Sequence, residues 1–165
     1  MNEEDKLLIN SYLTFRLGKE LFAANVKYII HILPMLDVTK VPNAPDYMLG
    51  VINHRGKVLP VIDSRLKFKM EDTRITPSSC IVVVEVEKAD EKIQIGALVD
   101  SVNNVLRISD NDIQAAPNIG TKYKSNFIEG IINNNGEFII LLNINNVFSN
   151  EDVIDINGKT DIELK

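Results

Sequence analysis

The second half of this chain repeats the first, and no other feature constrains the fold as tightly. Residues 47–68 (YMLGVINHRGKVLPVIDSRLKF) align without a gap on residues 127–148 (FIEGIINNNGEFIILLNINNVF). Gly50 meets Gly130, Ile52 meets Ile132, Asn53 meets Asn133, Gly56 meets Gly136 and Phe68 meets Phe148. Upstream, Val26, Ile29 and Ile32 match Val99, Val102 and Val105 at the same three-residue spacing. Two like units in one short chain imply two like subdomains meeting at a shared seam. The expected division places one domain over residues 11–148, with subdomain 1 at about 11–75 and subdomain 2 at about 76–148. Exchange of strands between the halves is left open by the pattern. Residues 149–165 read as an acidic tail, frayed or disordered.

The periodicity within each unit is that of strands. Leu13, Phe15 and Leu17 alternate with Thr14 and Arg16, which predicts a strand with one face buried. Gly18-Lys19 turns the chain and residues 20–24 return it. At Val26, Ile29, Ile30 and Leu33 the spacing becomes helical, predicting a helix of about two turns ended by Pro34. Val99, Val102 and Leu106 predict a matching helical turn. Val38–Val41 reads as a strand, and Pro42-Asn43-Ala44-Pro45 as a turn. Residues 48–53 and 57–63 form a hairpin closed by Asn53-His54-Arg55-Gly56, with the glycine suited to a type I turn and a left-handed bulge residue. Asn133-Asn134-Asn135-Gly136 carries the same turn chemistry, and the polar run Lys69–Ser79 is the expected linker. Many short strands in two matching sets favour an all-β fold of two small barrels.

Composition narrows the function. Apolar residues make up 45% and charged residues 25%, the balance of an ordinary globular chain. The net charge is -5 with no basic stripe, which argues against nucleic acid and anionic lipid as partners. The acidic start (MNEEDK) is unlike a secretory signal, and no apolar run approaches the ~20 residues of a membrane span, so a cytoplasmic location is expected. The single cysteine, Cys80, opens an apolar run (CIVVVEV) and reads as a structural thiol in a reducing compartment.

Catalytic signals are missing. No glycine cluster could cradle a phosphate, and His31 and His54 lie in no metal-ligand spacing. Asp110-Asn111-Asp112 lacks the glycine and distal glutamate of a calcium loop and reads as a solvated loop. Asp63 and Asp100 are the acids expected near buried backbone, Asp63 either pairing with Arg65 or capping a turn. No catalytic residue, metal or cofactor is expected, and the chain reads as a non-enzyme. A small-barrel ligand-binding domain or enzyme with a pocket at the seam is the alternative class.

Residues 38–68 (VTKVPNAPDYMLGVINHRGKVLPVIDSRLKF) resemble the core signature of CheW-type chemotaxis coupling proteins: a Val-Pro-Asn-Ala-Pro-like turn, Gly-Val-Ile-Asn-Leu-Arg-Gly, then Val-Pro-Val-Ile-Asp-x-Arg. Residues 15–20 (FRLGKE), 98–102 (LVDSV) and 123–148 add to the resemblance, which spans about residues 11–148. It implies two SH3-like five-stranded barrels in an adaptor that couples chemoreceptors to the histidine kinase CheA, recruited to membrane-associated receptor arrays. An adaptor for another CheA-like kinase pathway is an alternative, because the fold alone does not name the circuit. Two departures stand out. His54 replaces the usual Leu, and His31 lies where many members carry a Glu thought to sit near the loop arginine, here Arg55.

The partner-binding candidates follow from these readings. Arg55 is a guanidinium at a hairpin tip, suited to a partner's acids or helix-end carbonyls, with His54 beside it. His31 is expected to point away from the apolar stripe of the first helix. Val26 and Ile30, with Val99 and Val102 from the second, would line a groove for a receptor helical hairpin. Gly50, Asn53 and Gly56 are expected to shape the Arg55 loop.

Overall fold

The computed structural model describes residues 10–71, 75–115 and 125–148. Each half supplies the same succession of elements. The first contributes β1 (Ser11–Leu17), β2 (Glu20–Asn25), β3 (Ile29–Pro34), β4 (Met48–His54), β5 (Lys57–Asp63) and the one-turn helix α1 (Ser64–Lys67). The second contributes β6 (Cys80–Lys88), β7 (Glu91–Val99), β8 (Ser101–Arg107), β9 (Ile128–Asn134), β10 (Glu137–Leu142) and α2 (Ile144–Val147). The acidic tail from Ser149, Tyr123 and the middle of the expected linker lie outside the described residues.

The chain builds two five-stranded sheets, ordered β8-β1-β2-β10-β9 and β3-β6-β7-β5-β4. Replacing each strand of one half by its counterpart in the other converts one order into the other. Each sheet thus joins one half's leading hairpin to the other half's three later strands. Each sheet has one antiparallel joint between the halves, β1 with β8 or β3 with β6, and one parallel joint, Ile139–Leu141 beside Leu21–Ala23 or Val61–Asp63 beside Gly96–Leu98. The protein is all-β, with two SH3-like barrels related by the sequence repeat.

Three apolar clusters hold the barrels together. Tyr12, Leu21, Ala23, Ile132, Ile139 and Leu141 fill one barrel, and Ile52, Leu59, Val61, Ile81, Val83 and Leu98 fill the other. The largest lies between the sheets and includes Leu13, Phe15, Leu17, Phe22, Val82, Val84, Ile95, Ile144 and Phe148. Strands that wall both a barrel and the seam are buried on both faces. In β1, Tyr12 faces the barrel cluster, Leu13 and Phe15 the seam, and Thr14 is fully buried. The expectation of one buried face fails there, because alternation in a chain folded into two back-to-back barrels hides polar positions too. Thr14 is satisfied: its Oγ1 donates to the Asn104 carbonyl at 2.9 Å.

The expected helices are strands. Only Val26–Tyr28 is helical, as a single 3-10 turn capped by the Asn25 side chain, which accepts from the Lys27 N–H at 3.0 Å. Residues 29–34 then run antiparallel to β6, and the counterpart over 101–107 is the edge strand β8. Three β-branched residues in Ile29-Ile30-His31-Ile32 favour an extended backbone, and an open edge of β6 supplies the ladder that a two-turn helix would lack. A bulge at Ile30 interrupts the ladder, with Ile29 opposite Val84 and His31 opposite Val83. Val38–Val41 makes only an isolated bridge, Thr39 to Val51.

Candidate functional site

The Arg55 hairpin is built by geometry the sequence nearly specifies. β4 and β5 pair to His54↔Lys57, so only Arg55 and Gly56 form the loop. Both have positive φ, 54° and 80°, which makes the turn type I′ rather than the expected type I turn with a bulge. Type I′ matches the twist of paired strands, and the two-residue register leaves no room for a bulge residue. Asn53 Oδ1 accepts from the Gly56 N–H at 2.9 Å and fixes the loop. Arg55 is exposed and makes no hydrogen bond or ion pair among the described residues.

Gly50 allows β4 to press against residues 38–39. A Cβ there would lie 2.2 Å from the Thr39 carbonyl oxygen, and its φ of +149° adds to the requirement for glycine.

His31 meets His54. Their ring centroids are 5.2 Å apart with planes crossing at 66°. The two residues come from β3 and β4, the opposite edges of one sheet, and closure of the barrel brings them together. Both are half-buried. No ion pair links His31 to Arg55, and an imidazole edge contact stands in that place.

Reading residues 29–34 as a strand reverses the expected orientations. His31 shares the half-buried face with Ile29 and Leu33, whereas Ile30 and Ile32 are 38% and 48% exposed on the other. Val26 and Val102 are half-buried against the seam cluster, and Val99 is 1% exposed within it. Val99 therefore offers nothing to a partner, because it lies on a central strand between the two sheets. The helix-lined groove is absent with the helices.

Sequence reasoning missed several exposed apolar side chains, among them Ile32, Val58, Val105 and Phe138. Ile32 follows from the strand period. Val58 and Phe138 are 75% and 61% exposed and occupy the same position in the two repeats, each across the ladder from an asparagine, Asn53 or Asn133. The gap-free alignment already paired them.

The carboxylates do structural work. Asp63 caps α1, accepting from the Arg65 and Leu66 N–H groups at 3.0 and 3.3 Å. Arg65 instead pairs with Asp100, donating from Nε at 3.0 and 3.1 Å and from Nη2. This bidentate bond to Asp100 raises the Arg65 guanidinium further above its ordinary range. Asp100 also accepts from the Gly18 N–H at 2.6 Å, tying α1, the β1–β2 turn and the β7–β8 corner together. Cys80 is half-buried, and burial pushes its thiol up, away from the reactive thiolate. Asp110–Asp112 is an exposed 3-10 turn.

The seam is filled. Its cavity holds about 20 Å³ and is lined by apolar groups such as Phe15, Ala24, Val84, Phe68 and Phe148. That is roughly one water-sized sphere. Among the described residues no group of three or more His, Cys, Asp or Glu is placed to hold a metal ion, and no helix is long and apolar enough to cross a membrane.

Comparison with known proteins agrees with this architecture. The family model described as "CheW-like domain" matches residues 11–152. The chemotaxis protein CheW of Rhizobium meliloti is 34% identical over 140 residues, covering 85% of this chain and 88% of the relative. The CheW of Bacillus subtilis is 31% identical over 81% of this chain and 83% of its own length. The crystal structure of the scaffolding protein TtCheW from Thermoanaerobacter tengcongensis superposes with a TM-score of 0.75 at 29% identity, covering 87% of this chain and 94% of that one. A strand-exchanged pair of barrels, a packed seam and this match over almost the whole globular region place the chain in the CheW-like family of chemotaxis coupling proteins.

Proposed function

We propose that this protein is a non-enzymatic adaptor that links the cytoplasmic tips of chemoreceptors to a CheA-like histidine kinase. The observation that carries the reading is the packed seam: the place where a double barrel would keep a reactive pocket is occupied by its largest apolar cluster. The chemistry left to the molecule is on its outer surface. There the Arg55 turn presents a cation with fixed donors, and Ile30 and Ile32 expose an apolar strip on the edge strand β3.

An apolar strip and a cation carried on one barrel suit an amphipathic receptor helix, whose end carbonyls or acids would meet Arg55. Binding receptor and kinase on separate surfaces raises the local concentration of kinase at the receptor. Biasing the kinase between two states would further require unequal affinity for them.

Co-purification with a receptor cytoplasmic fragment and a kinase regulatory domain tests the reading, and ternary assembly is expected. Failure of the wild-type chain to join either one overturns it. Arg55→Asp should weaken receptor or kinase association roughly tenfold, as loss of an interface arginine does, while the melting temperature barely moves. Unaltered association of that variant would remove Arg55 from the docking surface.

A further inference from the structure

The two histidines of this chain are drawn together by the fold, although nothing in their sequence spacing foretells it. His31 stands on β3 and His54 ends β4, and these strands are the two edges of one sheet. Their ring centroids lie 5.2 Å apart. Two imidazoles bound to one tetrahedral cation, with each ring centre about 3.2 Å from the metal, have centres about 5.2 Å from each other. The ring spacing is therefore already that of a two-histidine chelate. The planes cross at 66°, and terminal ring torsions are soft, so turning one nitrogen of each ring toward a common point needs side-chain rotation alone. Neither imidazole makes a hydrogen bond or ion pair among the described residues, which leaves its nitrogens uncommitted.

We propose that His31 and His54 form a binding site for a divalent transition cation of the zinc, nickel or copper class, which imidazole ligands favour. No third His, Cys, Asp or Glu completes the set among the described residues, so water fills the remaining positions of the isolated protein. Both rings are half-buried, which keeps those positions open to solvent. The site stands or falls on the chain alone and does not depend on the adaptor reading.

The test uses the full untagged chain and Zn²⁺. The sequence holds only two histidines, so its ring-proton NMR spectrum reports both sites without assignment ambiguity. One equivalent of Zn²⁺ should move both sets of ring signals together. In calorimetry, His31→Gln and His54→Gln should each weaken Zn²⁺ binding roughly a hundredfold, the advantage a second tethered ligand confers. Retention on immobilised Ni²⁺ should fall in the same variants. Ring signals that stay in place, or variant affinities equal to the parent's, would overturn the site and assign any bound Zn²⁺ to carboxylates or Cys80. Should His54→Gln not fold, His54→Leu replaces it, and the wild-type NMR result decides by itself.

Discussion

The two hairpin turns of this protein share a backbone and differ in what they present. His54-Arg55-Gly56-Lys57 and Asn134-Asn135-Gly136-Glu137 are both type I′, with φ of 54° and 80° in the first and 55° and 92° in the second. The same asparagine bond closes each, Asn53 to Gly56 at 2.9 Å and Asn133 to Gly136 at 2.8 Å. Asn-Gly is the pair such a turn favours, and the second hairpin uses it. The first puts an arginine in the left-handed conformation, where a non-glycine residue costs about 1 kcal/mol or more. A strained arginine where the sister turn has the relaxed choice points to selection for the side chain it displays. The helices differ similarly. α1 is locked to the β7–β8 corner by the ion pair of Arg65 and Asp100, whereas at the equivalent place in α2 Asn145 makes no ion pair: its carbonyl accepts from the Lys88 ammonium at 2.9 Å and its Oδ1 from the Glu87 N–H at 3.4 Å.

The largest expected effect concerns the glycines beneath the hairpins. A Cβ at Gly50 would meet backbone, the Thr39 carbonyl at 2.2 Å, in addition to an unfavourable φ. At Gly130 the nearest atoms are the Ile113 Cγ2 at 2.5 Å and the Gln114 carbonyl at 2.8 Å. Gly50→Ala should destabilise by about 3 kcal/mol or more and Gly130→Ala by about 1–3 kcal/mol. Urea unfolding of the two variants measures the gap, and equal losses would mean that the halves tolerate crowding alike.

The repeat made much of this legible. Alignment of residues 47–68 on 127–148 located both hairpins, and turn-capping was one of the two roles read for Asp63; the cap at Asn143 and the exposed sites Val58 and Phe138 stand at positions the alignment paired but did not mark. The strand-exchange pattern was not legible, because the parallel joints between β2 and β10 and between β5 and β7 depend on contacts distant in sequence. Residues 26–33 were misread because apolar side chains fall at helical spacing there. Ile29 and Leu33 do face inward, but a strand with a bulge at Ile30 satisfies the same spacing. That one error turned His31 outward, and it hid the meeting of His31 with His54. Closure of a barrel is a long-range event that no local window records.

A middle-sized effect is expected from the asymmetric ion pair. Arg65→Met removes the partner of Asp100 but leaves the carboxylate with the Gly18 N–H. Both side chains are under one-fifth exposed, at 18% and 19%, so the loss should exceed that of a surface pair and reach about 1–3 kcal/mol. Asn145→Ala at the corresponding place in α2 keeps the backbone carbonyl that Lys88 uses, gives up only the exposed 3.4 Å bond from the Glu87 N–H, and should cost well under 1 kcal/mol. Thermal melts of both variants compare the two halves directly, and similar shifts would remove the distinction between them.

The smallest change in stability is also the most informative, because its sign differs from that of its effect on binding. Arg55→Asn copies the sister turn into the first hairpin. Asparagine tolerates the left-handed region that arginine resists, so the variant should gain about 0.5–1 kcal/mol in chemical denaturation. Asn135→Arg should lose a similar amount. If the first turn is a docking surface, Arg55→Asn also binds receptor or kinase more weakly although it folds more stably, while Asn135→Arg perturbs folding alone. A variant of Arg55 that gained stability and kept full binding would show that the arginine is tolerated at this turn and is not used there.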